Sequence, residues 1–181
     1  MIKALFLDRD GVINFDKGYV HKQKDFIFKN EIFDIVKLAN LKKYVVIIIT
    51  NQSGIARGYF KIKDFNILTE WVLGQFIKNK CEIKDVYFCP FHKDGKVKKY
   101  AKDSFLRKPL PGMINNAVSD YDIDINESIL IGDKFSDIEA GNAAGIKINL
   151  LLNETGHKLH NNKNISYTEI TSLLEAEVFF K

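Results

Sequence analysis

Met1-Ile2-Lys3-Ala4-Leu5-Phe6-Leu7-Asp8-Arg9-Asp10-Gly11 opens the chain with a short apolar run that stops at carboxylates. Such a run, Ala4 to Leu7, reads as a buried strand whose carboxyl end carries chemistry. The pattern recurs where Tyr44 to Ile49 runs into Thr50 and where Ser128 to Ile131 runs into Gly132-Asp133. Asp85 to Phe88 and Lys147 to Leu151 read as additional strands. The segments between them have helical period: Glu31 to Leu41 puts Ile32, Ile35, Val36, Leu38 and Ala39 on one stripe, and Asp64 to Asn79 does the same with Phe65, Leu68, Trp71, Val72, Gln75 and Phe76. Further helices are expected at Gly112 to Asp120, behind Pro111, and at Ser136 to Ala144, ended by Gly145. Ile165 to Phe180 reads as a closing helix, and Asn153 to Asn164 as a polar loop. Strands alternating with helices predict an α/β fold: a three-layer, Rossmann-like parallel sheet with helices on both faces and right-handed crossovers.

At 181 residues the chain is expected to form a single domain, 1–181, with a core that needs no disulfide staples. Lysine and arginine total 27 against 23 acidic residues, a net +4 spread along the sequence, which permits nucleic-acid binding without suggesting it. Hydrophobic residues at 46% and charged residues at 28% exclude a disordered chain. The amino-terminal run has no signal-peptide pattern behind it and nothing approaches a membrane span, so a cytoplasmic protein without membrane contact is expected. Cys81 and Cys89 fit a reducing compartment. No long apolar strip remains once the core helices are assigned, which points to a monomer.

Ligands of open α/β sheets bind outside the carboxyl ends of the strands. There the sequence puts Asp8 and Asp10, Thr50 to Ser53, and Asp133 with Asp137. Carboxylates so crowded repel one another unless a cation or proton is shared, and oxygen-only ligands select a hard cation such as Mg²⁺. A magnesium-dependent phosphoryl-transfer site follows. Asp8-Arg9-Asp10-Gly11-Val12, Thr50-Asn51, Lys108 before Pro109, and Gly132-Asp133-Lys134-Phe135-Ser136-Asp137 together resemble the four motifs of the haloacid-dehalogenase superfamily of phosphatases. The resemblance implies that Asp8 is a nucleophile forming an aspartyl-phosphate and that Asp10 is the general acid and base. It implies also that Thr50 and Lys108 bind phosphoryl oxygens, and that Asp8, Asp133 and the Asp10 backbone carbonyl hold Mg²⁺.

Within the superfamily, Gly18-Tyr19-Val20-His21, Thr50 through Gly58, Arg107-Lys108-Pro109 and Pro111-Gly112-Met113 make the chain similar to the D-glycero-D-manno-heptose 1,7-bisphosphate 7-phosphatases from about residue 2 to about residue 152. That likeness implies a small sugar bisphosphate as partner and no large cap domain. It implies a pocket lined by Asp16, Lys17, Gly18, Tyr19, Asn51, Gln52 and Ser53 besides Thr50, with Arg107 and Lys134 making further contacts and Arg107 gripping the phosphate that is not cleaved. The histidinol-phosphate phosphatases are the nearest relatives of that group, and a small-metabolite phosphatase on the same fold is the alternative reading. A non-catalytic binding protein and a nucleic-acid end-processing phosphatase, the latter suggested only by the basic stretch Lys93 to Lys108, are the remaining readings.

The chain departs from the family at one place. The structural zinc common in that group uses C-x-H and then C-x-C ahead of the arginine, and here those positions hold Cys89 with Phe91 and Ser104 with Leu106. Cys89 alone makes no tetrahedral site, so no structural zinc is expected. The loop from Pro90 to Arg107 must then be ordered otherwise, and Phe88, Phe91, Val97, Tyr100, Phe105 and Leu106 are the apolar residues at hand.

Overall fold

The computed structural model describes residues 1–155 and 165–181. In chain order the elements are β1 (Lys3–Leu7), α1 (Ile32–Leu41), β2 (Tyr44–Asn51), α2 (Ser53–Arg57), α3 (Ile62–Lys78), β3 (Asp85–Cys89), α4 (Gly112–Tyr121), β4 (Ile129–Gly132), α5 (Phe135–Ala144), β5 (Ile148–Leu152) and β6 (Thr168–Ile170). A short 3-10 helix, Leu173–Phe179, follows β6. The strands form one six-stranded sheet in the order β3-β2-β1-β4-β5-β6, and every neighbouring pair is parallel.

Strand side chains alternate between faces, and both faces are buried, as continuous apolar strands of parallel sheets require. Leu5, Leu7, Val46, Ile48, Ile129 and Ile131 point to the face covered by α1, α3 and the 3-10 helix, where they meet Ile35, Leu68, Phe76 and Leu173. Ala4, Phe6, Ile47, Ile49 and Leu130 point to the other face, against Met113, Ile114 and Ala117 of α4 and Ile138 of α5. The three-layer arrangement with helices on both faces is therefore as expected. Gly145 ends α5 in the left-handed region at φ 95°, a conformation that glycine adopts without steric cost.

The chain builds one half of the sheet outward from β1 to β3, then crosses through α4 to build the other half from β4. The direction reverses between β1 and β4, which pair through Leu5 with Ile129 and Leu7 with Ile131. Such a switch point opens a crevice at the carboxyl ends of its two strands.

One expectation needs correction. The closing helix over Ile165 to Phe180 is absent: Thr168–Ile170 instead adds a parallel strand to the edge of β5, with Asn153 N donating to Ile170 O at 2.8 Å, and only Leu173–Phe179 turns, as a 3-10 helix. Edge pairing with a distant strand outweighs local helical period here. Ser53–Arg57, read only as part of a motif, forms the short helix α2. The stretch read as a polar loop, Asn153 to Asn164, falls outside the described residues from 156 to 164.

The Pro90 to Arg107 loop is held by backbone bonds and rings. Lys96 N and Val97 N both donate to Ala56 O at the end of α2, at 2.8 and 2.9 Å, and His92 N donates to Tyr100 O at 3.1 Å. Phe91 and Leu106 pack against the α4 and α5 side of the core, with Tyr100 5.9 Å from Phe91 and Lys102 over the Phe91 ring at 4.7 Å. Val97 lies under Gly58 and Phe88 packs on Phe65, whereas Phe105, also anticipated as packing, is 58% exposed.

Candidate active site

The floor of the crevice comes from four segments. Asp8 follows β1 and keeps the ladder running, its N donating to Ile131 O at 3.0 Å. Thr50 lies in β2, Asp133 follows β4, and Lys108 arrives from the loop ahead of α4. Lys108 is 4% exposed, and Nζ donates to Asp8 Oδ1 at 2.8 Å, to Ile49 O at 2.8 Å and pairs with Asp137 Oδ1 at 2.6 Å. An ammonium has three hydrogens, so all of them are taken. Burial works to discharge this lysine, but Asp137 and Asp8 outweigh it and hold its pKa above the usual value. The backbone of Lys108 is fixed too: Asn51 Nδ2 donates to Lys108 O and Lys108 N donates to Asn51 Oδ1, both at 3.1 Å. The Asp137 carboxylate also accepts from Lys134 N at 3.0 Å, capping the start of α5.

Asp10 is more exposed than Asp8. Its Oδ1 accepts from Asn14 Nδ2 at 3.1 Å and its Oδ2 from Gln52 Nε2 at 3.0 Å, while Arg9 engages both oxygens. Gln52 Nε2 also donates to Thr50 Oγ1 at 2.9 Å, linking the acid to the second strand end.

The rim is formed by the loop after β1 and by the end of the Pro90 to Arg107 loop. Asp16 Oδ1 accepts from Gly18 N at 2.9 Å, and Oδ2 pairs with Lys134 Nζ at 3.1 Å across the crevice. Partial burial works to raise the Asp16 pKa, but the Gly18 amide and Lys134 together hold it below the usual value. Tyr19 is in the left-handed region at φ 53°, unusual for a side chain of that size, with its ring edge-on to Tyr59 at 4.7 Å and its carbonyl 2.8 Å from His21 Nδ1. Arg107 is steadied by donation from Nη1 to Phe91 O at 3.3 Å.

Asp8, Asp133 and Asp137 each bring an oxygen within 4.8 Å of the others. Asp137 is committed to Lys108 and the α5 cap, which leaves Asp8 and Asp133 as the pair facing a cation. Asp133 Oδ1 is buried with no hydrogen-bond partner among the described residues. Burial, and after it the charge of Asp8, pushes the Asp133 pKa up to about 8. Burial raises Asp8 as well, against the pull of Lys108. Gly11, at φ 105°, passes so close that a Cβ there would lie 2.1 Å from Asp133 Oδ2. An oxygen-only, crowded carboxylate pair with the buried Asp133 Oδ1 left unpartnered among the described residues fits a hard divalent cation.

The resulting cavity is about 320 Å³ and is lined by Asp8, Asp10, Asp16, Gly18, Tyr19, Thr50, Asn51, Gln52, Ser53, Arg107, Lys108 and Lys134. Lys17 is exposed, and neither it nor Asp133 is among the lining residues, although Asp133 brings a carboxylate oxygen within 4.8 Å of Asp8. Gly54, Ser136 and Asp137 also line the cavity. Asp137 and Ser136 belong to the last motif quoted from the sequence, whose spacing does not tell that Asp137 meets a lysine. Gly54 is the small residue beside Ser53 in the second motif.

Residues 105–175 match the HAD-hydrolase-like family model. A curated protein of Photorhabdus laumondii named D-glycero-alpha-D-manno-heptose-1,7-bisphosphate 7-phosphatase is 48% identical over 157 residues, covering 86% of this chain and 85% of the relative. One of Haemophilus influenzae, named for the beta anomer, is 41% identical over 152 residues and covers 84% and 82%. Among solved structures, the D,D-heptose 1,7-bisphosphate phosphatase of B. bronchiseptica complexed with magnesium and phosphate superposes with a TM-score of 0.75 at 28% identity, covering 83% of this chain and 80% of that one. Among the described residues, no helix is long and apolar enough to cross a membrane.

Proposed function

This chain belongs to the D-glycero-D-manno-heptose 1,7-bisphosphate 7-phosphatases of the haloacid-dehalogenase superfamily, and from that premise we propose that it removes the 7-phosphate of heptose 1,7-bisphosphate with Mg²⁺ through an aspartyl-phosphate. The observation that carries this reading is the meeting of Asp8, Asp10, Thr50 and Lys108 in one cavity with a polar rim at the switch point of the sheet, with the Asp133 carboxylate within 4.8 Å of that of Asp8.

An Asp8 oxygen attacks phosphorus while the bond from phosphorus to the sugar oxygen breaks, and Asp10 gives its proton to that oxygen. Asp10, now a carboxylate, takes a proton from water as the water oxygen attacks phosphorus and the bond to Asp8 breaks, releasing phosphate. Lys108 and Thr50 donate to the phosphoryl oxygens where charge builds up. Asp8, Asp133 and the Asp10 carbonyl would hold Mg²⁺, which when bound offsets phosphoryl charge and lets Asp8 work ionised. At the rim, Arg107 would take the uncleaved phosphate in a bidentate grip, and Asp16, Lys134, Ser53 and the Gly18–Tyr19 turn would bound the sugar. The relative named for the alpha anomer is the more similar of the two, which makes that anomer the first substrate to try.

The test is phosphate release with Mg²⁺ from both anomers of the bisphosphate, histidinol phosphate and a 5′-phosphorylated oligonucleotide. Preferred hydrolysis of a bisphosphate, reduced at least about a thousandfold in Asp8→Asn, is expected. Equal or better turnover of histidinol phosphate would overturn the substrate, and release that survives Asp8→Asn would overturn the mechanism.

A further inference from the structure

Arg9, between the two acids of the first motif, is used by nothing in the mechanism above, yet its side chain is only 4% exposed. Its guanidinium lies close to two rings, with Cζ 5.9 Å from the centroid of Phe26 and 5.7 Å from that of Phe65. Nε donates to Asp10 Oδ2 at 3.1 Å, and Nη2 donates to Asp10 Oδ1 at 3.0 Å, to Asp10 Oδ2 at 2.7 Å and to Val20 O at 2.7 Å. Nη1 is buried with no hydrogen-bond partner among the described residues. A buried guanidinium with an unmatched N–H is a poor choice if packing is all the position requires, because an apolar side chain would avoid the desolvation.

We propose that Arg9 is a positioning residue that acts through Asp10: its planar fork holds the carboxyl in one orientation over Asp8 and ties it, through the Val20 carbonyl, to the loop that carries Gly18 and Tyr19. This rests on the reading of Asp10 as acid and base. The geometry calls for arginine in particular. A lysine ammonium would keep the charge but, as a single nitrogen, could not reproduce the donation by Nε and Nη2 to both Asp10 oxygens. Gln52 and Asn14 each hold one Asp10 oxygen, so without Arg9 the carboxyl stays near but can turn about those two contacts.

Orientation matters only when a proton must be delivered. As the bond from phosphorus to a sugar oxygen breaks, its electron pair stays on that oxygen, which takes the Asp10 proton. A para-nitrophenolate leaves with the pair and needs no proton. Since kcat/KM covers steps only through phosphoryl transfer to Asp8, comparing kcat/KM for the two substrates isolates proton delivery. Both are measured on the same sample, so the folded fraction cancels.

Arg9→Met is expected to lower kcat/KM about a hundredfold on the sugar bisphosphate and less than about threefold on para-nitrophenyl phosphate, with Asp10→Asn showing the same selectivity. Arg9→Lys should recover part of the loss on the bisphosphate alone, and it carries the comparison if Arg9→Met does not fold. An equal fall on both substrates in the Arg9 variants, with Asp10→Asn still selective, would overturn the proposal and leave Asp10 as the acid. An Asp10→Asn without selectivity would overturn the reading of Asp10 itself.

Discussion

On the floor of the cavity Lys108 is almost fully buried and every hydrogen of its ammonium is committed to Asp8, Asp137 or a carbonyl, while on the rim Lys134, with a side chain 54% exposed, spans open solvent between Asp16 and Asp133. Both are lysines paired with two carboxylates, and the surroundings make them unlike. Taking one partner from a buried cluster strands charges in a medium that solvates them poorly, whereas water replaces a lost partner at the rim. The floor therefore links stability to chemistry, and the rim can vary at little structural cost. Discrimination among substrates can change there without disturbing phosphoryl transfer.

The sharpest break in this contrast would come from Lys108→Met, which leaves Asp8 and Asp137 buried without their cation. Turnover should fall at least about a thousandfold, and unfolding in urea at neutral pH should show a loss of about 3–5 kcal/mol. A variant as stable as the parent would mean the floor is not a mutually dependent cluster.

Lys134→Met probes the other side. It should raise KM for the bisphosphate about three- to tenfold with kcat within about twofold, and leave stability within about 1 kcal/mol. A collapse of kcat instead would move Lys134 from rim to floor.

The smallest effect concerns protons and metal. Asp133, with its pKa raised to about 8, binds more protons folded than unfolded. The ionised form is thus disfavoured in the fold, and metal-free stability falls as pH rises from the unfolded carboxylate pKa through the folded one. A cation bound there relieves that repulsion and competes with the proton. Millimolar Mg²⁺ should therefore raise the thermal midpoint more at about pH 8 than at about pH 6. Equal shifts at both values would place the ion elsewhere.

The floor was largely legible in the sequence because its carboxylates and Thr50 sit where apolar runs end, and a parallel sheet gathers strand ends. What escaped was pairing across the chain. Nothing in the spacing of Asp133 and Asp137 tells that Asp137 meets Lys108, or that Asn51 clamps the backbone of Lys108 instead of pointing all its polar atoms into the cavity. Ser53–Arg57 is too short for a 3.6-residue period to show. Thr168–Ile170 looked helical because a three-residue edge strand carries too little alternation to compete with the leucines after it. The order of the Pro90 to Arg107 loop was legible only in part: Phe91, Val97, Tyr100 and Leu106 do pack, but two amides on the Ala56 carbonyl are equally involved, and main-chain bonds leave no trace in residue type.

The saturated ammonium of Lys108 has one more consequence, for the end of the catalytic cycle. A phosphate oxygen can reach it only by displacing a partner already present, so ligand capture at this lysine is an exchange in which a bond gained is a bond surrendered. The same exchange runs backwards once hydrolysis is complete: Asp8 is there to reclaim the hydrogen as the anion departs. Inorganic phosphate should accordingly be a weak product inhibitor in steady-state kinetics, since each hydrogen bond it takes from Lys108 costs the free site one to Asp8, Asp137 or the Ile49 carbonyl.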